Sequence, residues 1–194
     1  KITDGTGATL SNFQGEVETI LYDKAQSVKT LGNDVASPVT SFQVQNSILF
    51  KGRATVKNGL FQFNLILPKD INFQPGKGRF SFYATDGKRD AAGADTNYII
   101  AGLAPALTDN RGPEIKAWLN DTTFKNGGLT HENPVLLMDL VDSSGINVSG
   151  AGIGHDITAV IDGNERNVLV LNSYYSSAVD DYQRGRVRYQ LPTM

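Results

Sequence analysis

The chain has 194 residues and no cysteine. That excludes a thiol nucleophile, a thiolate metal site and a disulfide framework. Two histidines are present, so only His131 and His155 could serve as an imidazole base. Charge of one sign is also lacking. Eighteen basic residues stand against 20 acidic ones, for a formal charge of -2. Without a basic block there is no electrostatic reason to expect nucleic acid. No apolar run approaches the roughly 20 residues of a membrane-spanning helix. Few windows carry the 3.6-residue periodicity of an amphipathic helix. No signal peptide is present and the chain begins at Lys1 rather than Met, so a fragment or processed chain is expected.

What the sequence does contain is short β-prone runs separated by turn signals. The runs are Glu16–Tyr22, Ile48–Val56, Leu60–Leu67, Arg79–Thr85, Asn97–Ala101, Glu114–Leu119, Pro134–Val141, Ile157–Ile161, Val168–Leu171 and Arg186–Leu191. Asn58-Gly59 lies between two of them and favours a tight hairpin turn. In Leu60–Leu67, Phe61, Phe63 and Leu65 alternate with Gln62 and Asn64, which predicts a strand with one buried side, stopped by Pro68. Pro134–Val141 is the most apolar run and reads as a central strand. Ser176–Tyr182 is the one weak helix candidate, and a turn is expected there. Short strands with turns between them predict sandwiches rather than βαβ units. Leu103–Pro113, with two prolines, a glycine and an Asp-Asn pair, reads as an interdomain link, flexing at Thr108–Gly112. The expected organisation is all-β, with two consecutive immunoglobulin-like or fibronectin type III-like β-sandwich domains at 1–107 and 108–194.

Several constellations invite a functional reading. Gly145–Gly154 is glycine-rich, but a strand follows it and no lysine accompanies it, so it reads as a structural loop rather than a phosphate cradle. His155-Asp156 has Ser143, Ser144 and Ser149 nearby. Adjacent strand residues point to opposite faces, so the pair is not expected to form a dyad. His131-Glu132 reads as solvated loop. Asp109, Asp139, Asp142, Asp180 and Asp181 are loop carboxylates of the kind calcium uses, without EF-hand spacing, and they read first as turn residues. No catalytic residue, metal ligand or cofactor-binding residue is assigned. Tyr174, Tyr175 and Tyr182, with Arg184 and the neighbouring Arg186, Arg188 and Tyr189, form the candidate contact for a partner protein or glycan.

A series of short motifs carries a resemblance. The second half holds Asp109-Asn-Arg-Gly-Pro-Glu-Ile115, Asp142-Ser-Ser-Gly-Ile-Asn147, Gly152-Ile-Gly-His-Asp-Ile-Thr158, Asp162-Gly163, Leu171-Asn-Ser-Tyr-Tyr175 and Asp180-Asp-Tyr-Gln-Arg-Gly-Arg-Val-Arg-Tyr189. The first half holds Thr3-Asp-Gly-Thr-Gly7, Phe13-Gln-Gly-Glu-Val17, Leu21-Tyr-Asp-Lys24, Phe50-Lys-Gly52 and Asn58-Gly-Leu-Phe-Gln-Phe63. In order and spacing the series resembles the region that follows the peptidase domain in the PorU family, the gingipain-like sortases (C-terminal signal peptidases) of the Bacteroidetes type IX secretion system.

The resemblance implies a parent with a cysteine peptidase domain upstream, which removes the secretion signal of cargo and transfers the cargo to an anionic lipopolysaccharide. Because the catalytic Cys and His belong to that domain, no catalytic role passes to any residue here. This chain is then expected to be a non-catalytic scaffold and docking module, exported through the periplasm to the bacterial outer membrane and cell surface. Its expected partners are the upstream peptidase domain and outer-membrane secretion-system proteins, with lipopolysaccharide as a further ligand. A carbohydrate- or lipopolysaccharide-binding module is the alternative. The family's C-terminal sorting domain is not expected within this stretch, and the second sandwich is expected to end without its closing strands. Asp121-Thr122-Thr123 matches the short pattern glycosylated on Thr in this phylum, while an exposed turn is the plainer reading.

Overall fold

A computed structural model describes residues 1–68, 71, 73–102, 111–149 and 156–193. Among these residues there is no α-helix, and the all-β expectation holds. The strands of the first half are β1 Gly15–Tyr22, β2 Gln26–Lys29, β3 Ser41–Val44, β4 Ile48–Val56, β5 Gly76–Lys77, β6 Arg79–Thr85, β7 Asp90–Asp95 and β8 Ile99–Ile100. Those of the second half are β9 Glu114–Leu119, β10 Val135–Val141, β11 Thr158–Val160, β12 Val168–Val170, β13 Tyr175–Ala178 and β14 Asp181–Gln190. One 3-10 turn, Asn172–Tyr174, precedes β13.

The first half is built on an antiparallel sheet of order β4-β1-β6-β7. Period-2 alternation sets its two faces. Val17, Thr19 and Leu21 of β1 lie in rows with Ala54, Gly52 and Phe50 of β4 and with Ala84, Phe82 and Phe80 of β6. In β7 the same rows end on Ala91, Gly93 and Asp95. This inner face packs against Ile2, Leu10, Phe13 and the segment carrying Phe61 and Phe63. The outer face is polar, with Arg53 paired to Glu16 and Lys51 to Glu18. Strands β2 and β3 form a separate two-stranded ribbon, and β5 pairs with β8. The ribbon is almost wholly solvent-exposed, and Val28, Leu31, Val35, Val39 and Phe42 are uncovered on it or on its loop.

Of the hairpin expected around Asn58-Gly59, the turn forms and the second strand does not. The Asn58-Gly59 turn forms, with both residues at positive φ and with Lys57 and Leu60 exchanging backbone hydrogen bonds of 2.8 and 2.9 Å. Beyond it, Leu60–Leu67 does not continue as a strand paired to β4. The chain leaves the sheet and crosses its inner face, where Phe63 stacks on Phe50 and meets Phe80. Burying three apolar side chains against the exposed sheet face outweighs a longer ladder at its edge. The alternation read from the sequence is kept, since Phe61, Phe63 and Leu65 are half-buried while Gln62 and Asn64 are exposed.

The second half has an antiparallel sheet of order β13-β14-β10-β9, with β10 inside it as the apolar run requires. Its inner face, Met138, Leu140, Tyr175 and Val187, packs on Val148, Ile157 and Leu171 and on Ala159 and Leu169 of the β11–β12 ribbon. The layer opposite the sheet is therefore a ribbon and loops. Ser176–Tyr182, the weak helix candidate, is a strand–turn–strand hairpin whose turn residue Asp180 has φ of 61°. The interdomain link falls largely on 103–110, outside the described residues, and so does most of the expected hinge at 108–112.

The two sheets meet edge to edge. Val179 forms a parallel bridge with Arg53, and Asp180 donates its backbone N–H to the Arg53 carbonyl at 2.9 Å. The Asp180 carboxylate accepts the Thr55 N–H at 2.7 Å and the Thr55 hydroxyl at 2.5 Å. Apolar contacts run both ways across the seam. Ile48 of β4 packs on the second core and Tyr182 of β14 packs on the first.

Candidate functional site

The alternation of β14 separates its residues cleanly. Gln183, Gly185 and Val187 face the core, and Arg184, Arg186 and Arg188 face out. Their partners across the sheet share those faces. Three outer rows result: Arg188 with Leu137 and Trp118, Arg186 with Asp139 and Lys116, and Arg184 with Val141 and Glu114. Beside them lies an open depression of about 580 Å³, lined by Arg53, Tyr174, Ser176 and the three arginines.

The charges on this face are unevenly spent. Arg186 and Asp139 form a two-bond pair at 2.5 and 2.8 Å. The Arg186 hydrogen bonds hold the Asp139 carboxyl below the usual carboxylate range, with Lys116 adding to the effect, and Asp139 raises Arg186 in return. Arg184 lies 3.5 Å from Asp181, and Lys116 3.2 Å from Glu114. Arg188 has no ion-pair partner among the described residues. Tyr174 is 46% exposed and meets the edge of Tyr189 at 4.6 Å. Guanidinium groups beside an exposed ring suit recognition of carboxylates, phosphates or sugar rings.

The four candidate contact residues do not form one site. Tyr174 and Arg184 share the depression. Tyr175 is only 2% exposed, so the stacking role considered for it is not available in this fold. Its ring lies against Gly185, and burial, with Asp181 adding, pushes its phenol far above the ordinary range. Tyr182 lies at the seam, lining a separate cleft with Phe50, Phe63 and Gln183. The signal for the arginine row was present in the sequence as three arginines at two-residue spacing. Nothing local told Tyr175 from Tyr174, because the 3-10 turn before β13 decides which ring points inward.

The remaining candidates have local roles. Asp142 accepts Ser144 groups at 2.8 Å, Asp180 holds Thr55, and Asp181 accepts the Gln183 N–H at 2.9 Å. Among the described residues no three acidic or imidazole groups gather as a metal site. His131 is exposed, and its Nδ1 accepts the Asn133 N–H at 3.2 Å. Gly145, with φ of 92°, packs on the Tyr182 ring, as a structural loop would. The rest of that loop (150–155), including His155, and the linker Asp109 lie outside the described residues. Asp121 accepts the Thr123 N–H and hydroxyl, leaving Thr122 exposed on a turn.

No family model matches the chain, and no curated protein matches it. Among solved structures a likeness extends over nearly the whole chain. The chain is similar to PorU. The match is to dimeric latent PorU from Porphyromonas gingivalis, with 32% identity over 99% of this chain and a TM-score of 0.49. The chain spans 18% of PorU.

Proposed function

We propose that this chain is a non-catalytic pair of β-sandwich modules, immunoglobulin-like in plan, within a PorU-like surface peptidase/sortase. It acts as a stiff spacer and docking body between the peptidase domain of the same polypeptide and outer-membrane secretion partners. The observation that carries the mechanical part is the seam. Two sheets joined through a backbone bridge, a carboxylate clamp and interlocking apolar side chains resist bending better than two domains on a tether. The sequence likeness to PorU, together with the lack of any cysteine, supports the placement in a parent whose chemistry lies elsewhere. Two measurements test it. Peptidase or transpeptidase turnover by this chain alone would overturn the non-catalytic assignment. Spin-label distances between β9 and β6 should show one narrow distribution, and a broad one would overturn the stiff spacer.

A second reading, an acidic-glycan module, is favoured by exposed Tyr174 and by Arg188, which has no ion-pair partner among the described residues, on one face. Calorimetry with an acidic oligosaccharide, comparing the native chain with Tyr174→Ala, separates the two. Tyr174, not buried Tyr175, is the informative position.

A further inference from the structure

The inner face of the first sheet is incompletely covered at one end. Strand β7 reads Asp-Ala-Ala-Gly-Ala-Asp, and its inward positions are Ala91, Gly93 and Asp95. Opposite them stand Ala84, Phe82 and Phe80. The small residues leave Phe61, Phe63 and Phe82 half-buried over buried Phe80, and a groove of about 580 Å³ runs between β7 and the crossing segment of Phe61, Phe63 and Leu65. Its floor is a run of touching rings. Phe61 lies 5.7 Å from Phe82, Phe82 lies 5.7 Å from Phe80, and Phe80 lies 4.9 Å from half-exposed Tyr98. A Cβ built on Gly93 would meet nothing within 4 Å.

The same strand is the edge of its sheet. Among the described residues β7 pairs with β6 alone. Its outer edge therefore offers backbone N–H and C=O groups over six residues, and neither proline nor lysine blocks it. An edge of alternating donors and acceptors is matched in full only by another extended backbone. A strand laid there would send alternate side chains inward, over Phe82 and Phe80.

Charge narrows the occupant. Asp90 and Asp95 stand at the two ends of β7, roughly 17 Å apart for an extended strand. Asp90 bonds the Tyr83 phenol and Asp95 accepts the Asn97 N–H at 2.8 Å, but neither has an ion-pair partner among the described residues. Among the described residues the cation lining the groove is Lys1, which belongs to the N-terminal segment and not to the strand. Asp95 lies on the inward face with Gly93, and Asp90 on the outward face beside Tyr83, so two basic residues with the same spacing on a bound strand, one on each face, would meet the two carboxylates.

We propose that β7 is a strand-addition site: it takes an extended peptide with alternating apolar side chains and flanking basic residues, which fill the aromatic groove and meet Asp90 and Asp95. The proposal is independent of the arginine face and of the spacer role.

The test uses the whole chain and an end-blocked six-residue peptide, Lys-Val-Thr-Val-Thr-Lys, whose terminal lysines fall on opposite faces with the spacing of Asp90 and Asp95. Calorimetry should show binding, and amide shifts should concentrate at residues 90–95. Gly93→Leu fills the groove from within, at a position with room for a side chain. It should weaken the peptide at least tenfold while the melting temperature holds or rises. Ala91→Leu repeats the test one inward position away. A peptide with glutamates for lysines should bind at least tenfold more weakly at low salt, and one with its valines grouped together should also lose affinity. Four results would overturn the proposal: no binding at roughly millimolar peptide, binding undiminished by both substitutions, indifference to the order of the side chains, or self-association of the chain that Gly93→Leu abolishes. The last would make a second copy the occupant.

Discussion

At the residue scale, two positions show how much is decided by small groups. Gly185 stands in β14 directly under the Tyr175 ring, and a Cβ there would come within 2.3 Å of the ring carbons and hydroxyl. The ring is buried and cannot swing aside freely, so Gly185→Ala should destabilise the chain by about 1–3 kcal/mol in a urea titration. Asp180 is the second. Hydrogen bonds from the Thr55 hydroxyl and then its backbone N–H hold the Asp180 carboxyl below its ordinary 3.8, with Lys57 adding a smaller pull. A carboxyl lowered in the folded state contributes stability above its unfolded value, and that contribution fades as pH falls through the folded value. The native chain should therefore lose more stability than Asp180→Asn on acidification below about pH 4. Asn also tolerates the positive φ at this position and keeps one oxygen for the Thr55 N–H, so the pH dependence of the difference between the two proteins reports the ionised carboxylate. Equal acid sensitivity in thermal melts of the two proteins would show that the clamp does not need ionised Asp180.

Elements differ in how plainly the sequence announces them. Arg79–Thr85 and Glu114–Leu119 occupy the bounds expected of them, because each is a β-prone run closed by a turn signal. Strand β7 was missed. Alanine, glycine and aspartate carry little β preference, and this strand exists because β6 offers it a ladder. The exposed β2–β3 ribbon was missed for a related reason, since neither strand buries a face and no alternation marks it. Leu60–Leu67 shows the opposite failure, where alternation was real but belonged to a chain lying on a sheet rather than in one. The turn before it was legible in full. Gly59 has φ of 72°, and a Cβ there would lie 2.5 Å from the Leu10 carbonyl. Gly59→Ala should cost about 1–2 kcal/mol from the left-handed backbone alone, more with the clash, and Asn58→Ala should cost less. A reversed order in chemical denaturation would contradict this account of the turn. Of the candidate site, the arginine row was readable from two-residue spacing. The pairing of Arg186 with Asp139 was not, because the partners are 47 residues apart.

The whole molecule depends on a junction that no local pattern encodes. Asp180 and Thr55 are 125 residues apart in sequence, yet they close the gap between the two sheets. Tyr182 crosses into the first core and Ile48 into the second, so neither core is complete without the other half. One cooperative unfolding transition is therefore expected in calorimetry. Tyr182→Ala empties one side of the seam and should split the transition in two or broaden it. A native chain already melting in two steps would mean that the halves are thermodynamically separate despite their contacts.

The bare ribbon of β2 and β3 has a consequence of its own. It leaves the sheet after β1 and returns to it at β4, and those two strands are neighbours in the ladder. Cutting the chain after exposed Lys29 should therefore leave both pieces knitted together, migrating as one particle under native conditions and as two bands once denatured. The same geometry makes this arm a natural place to insert a reporter or to open new chain ends.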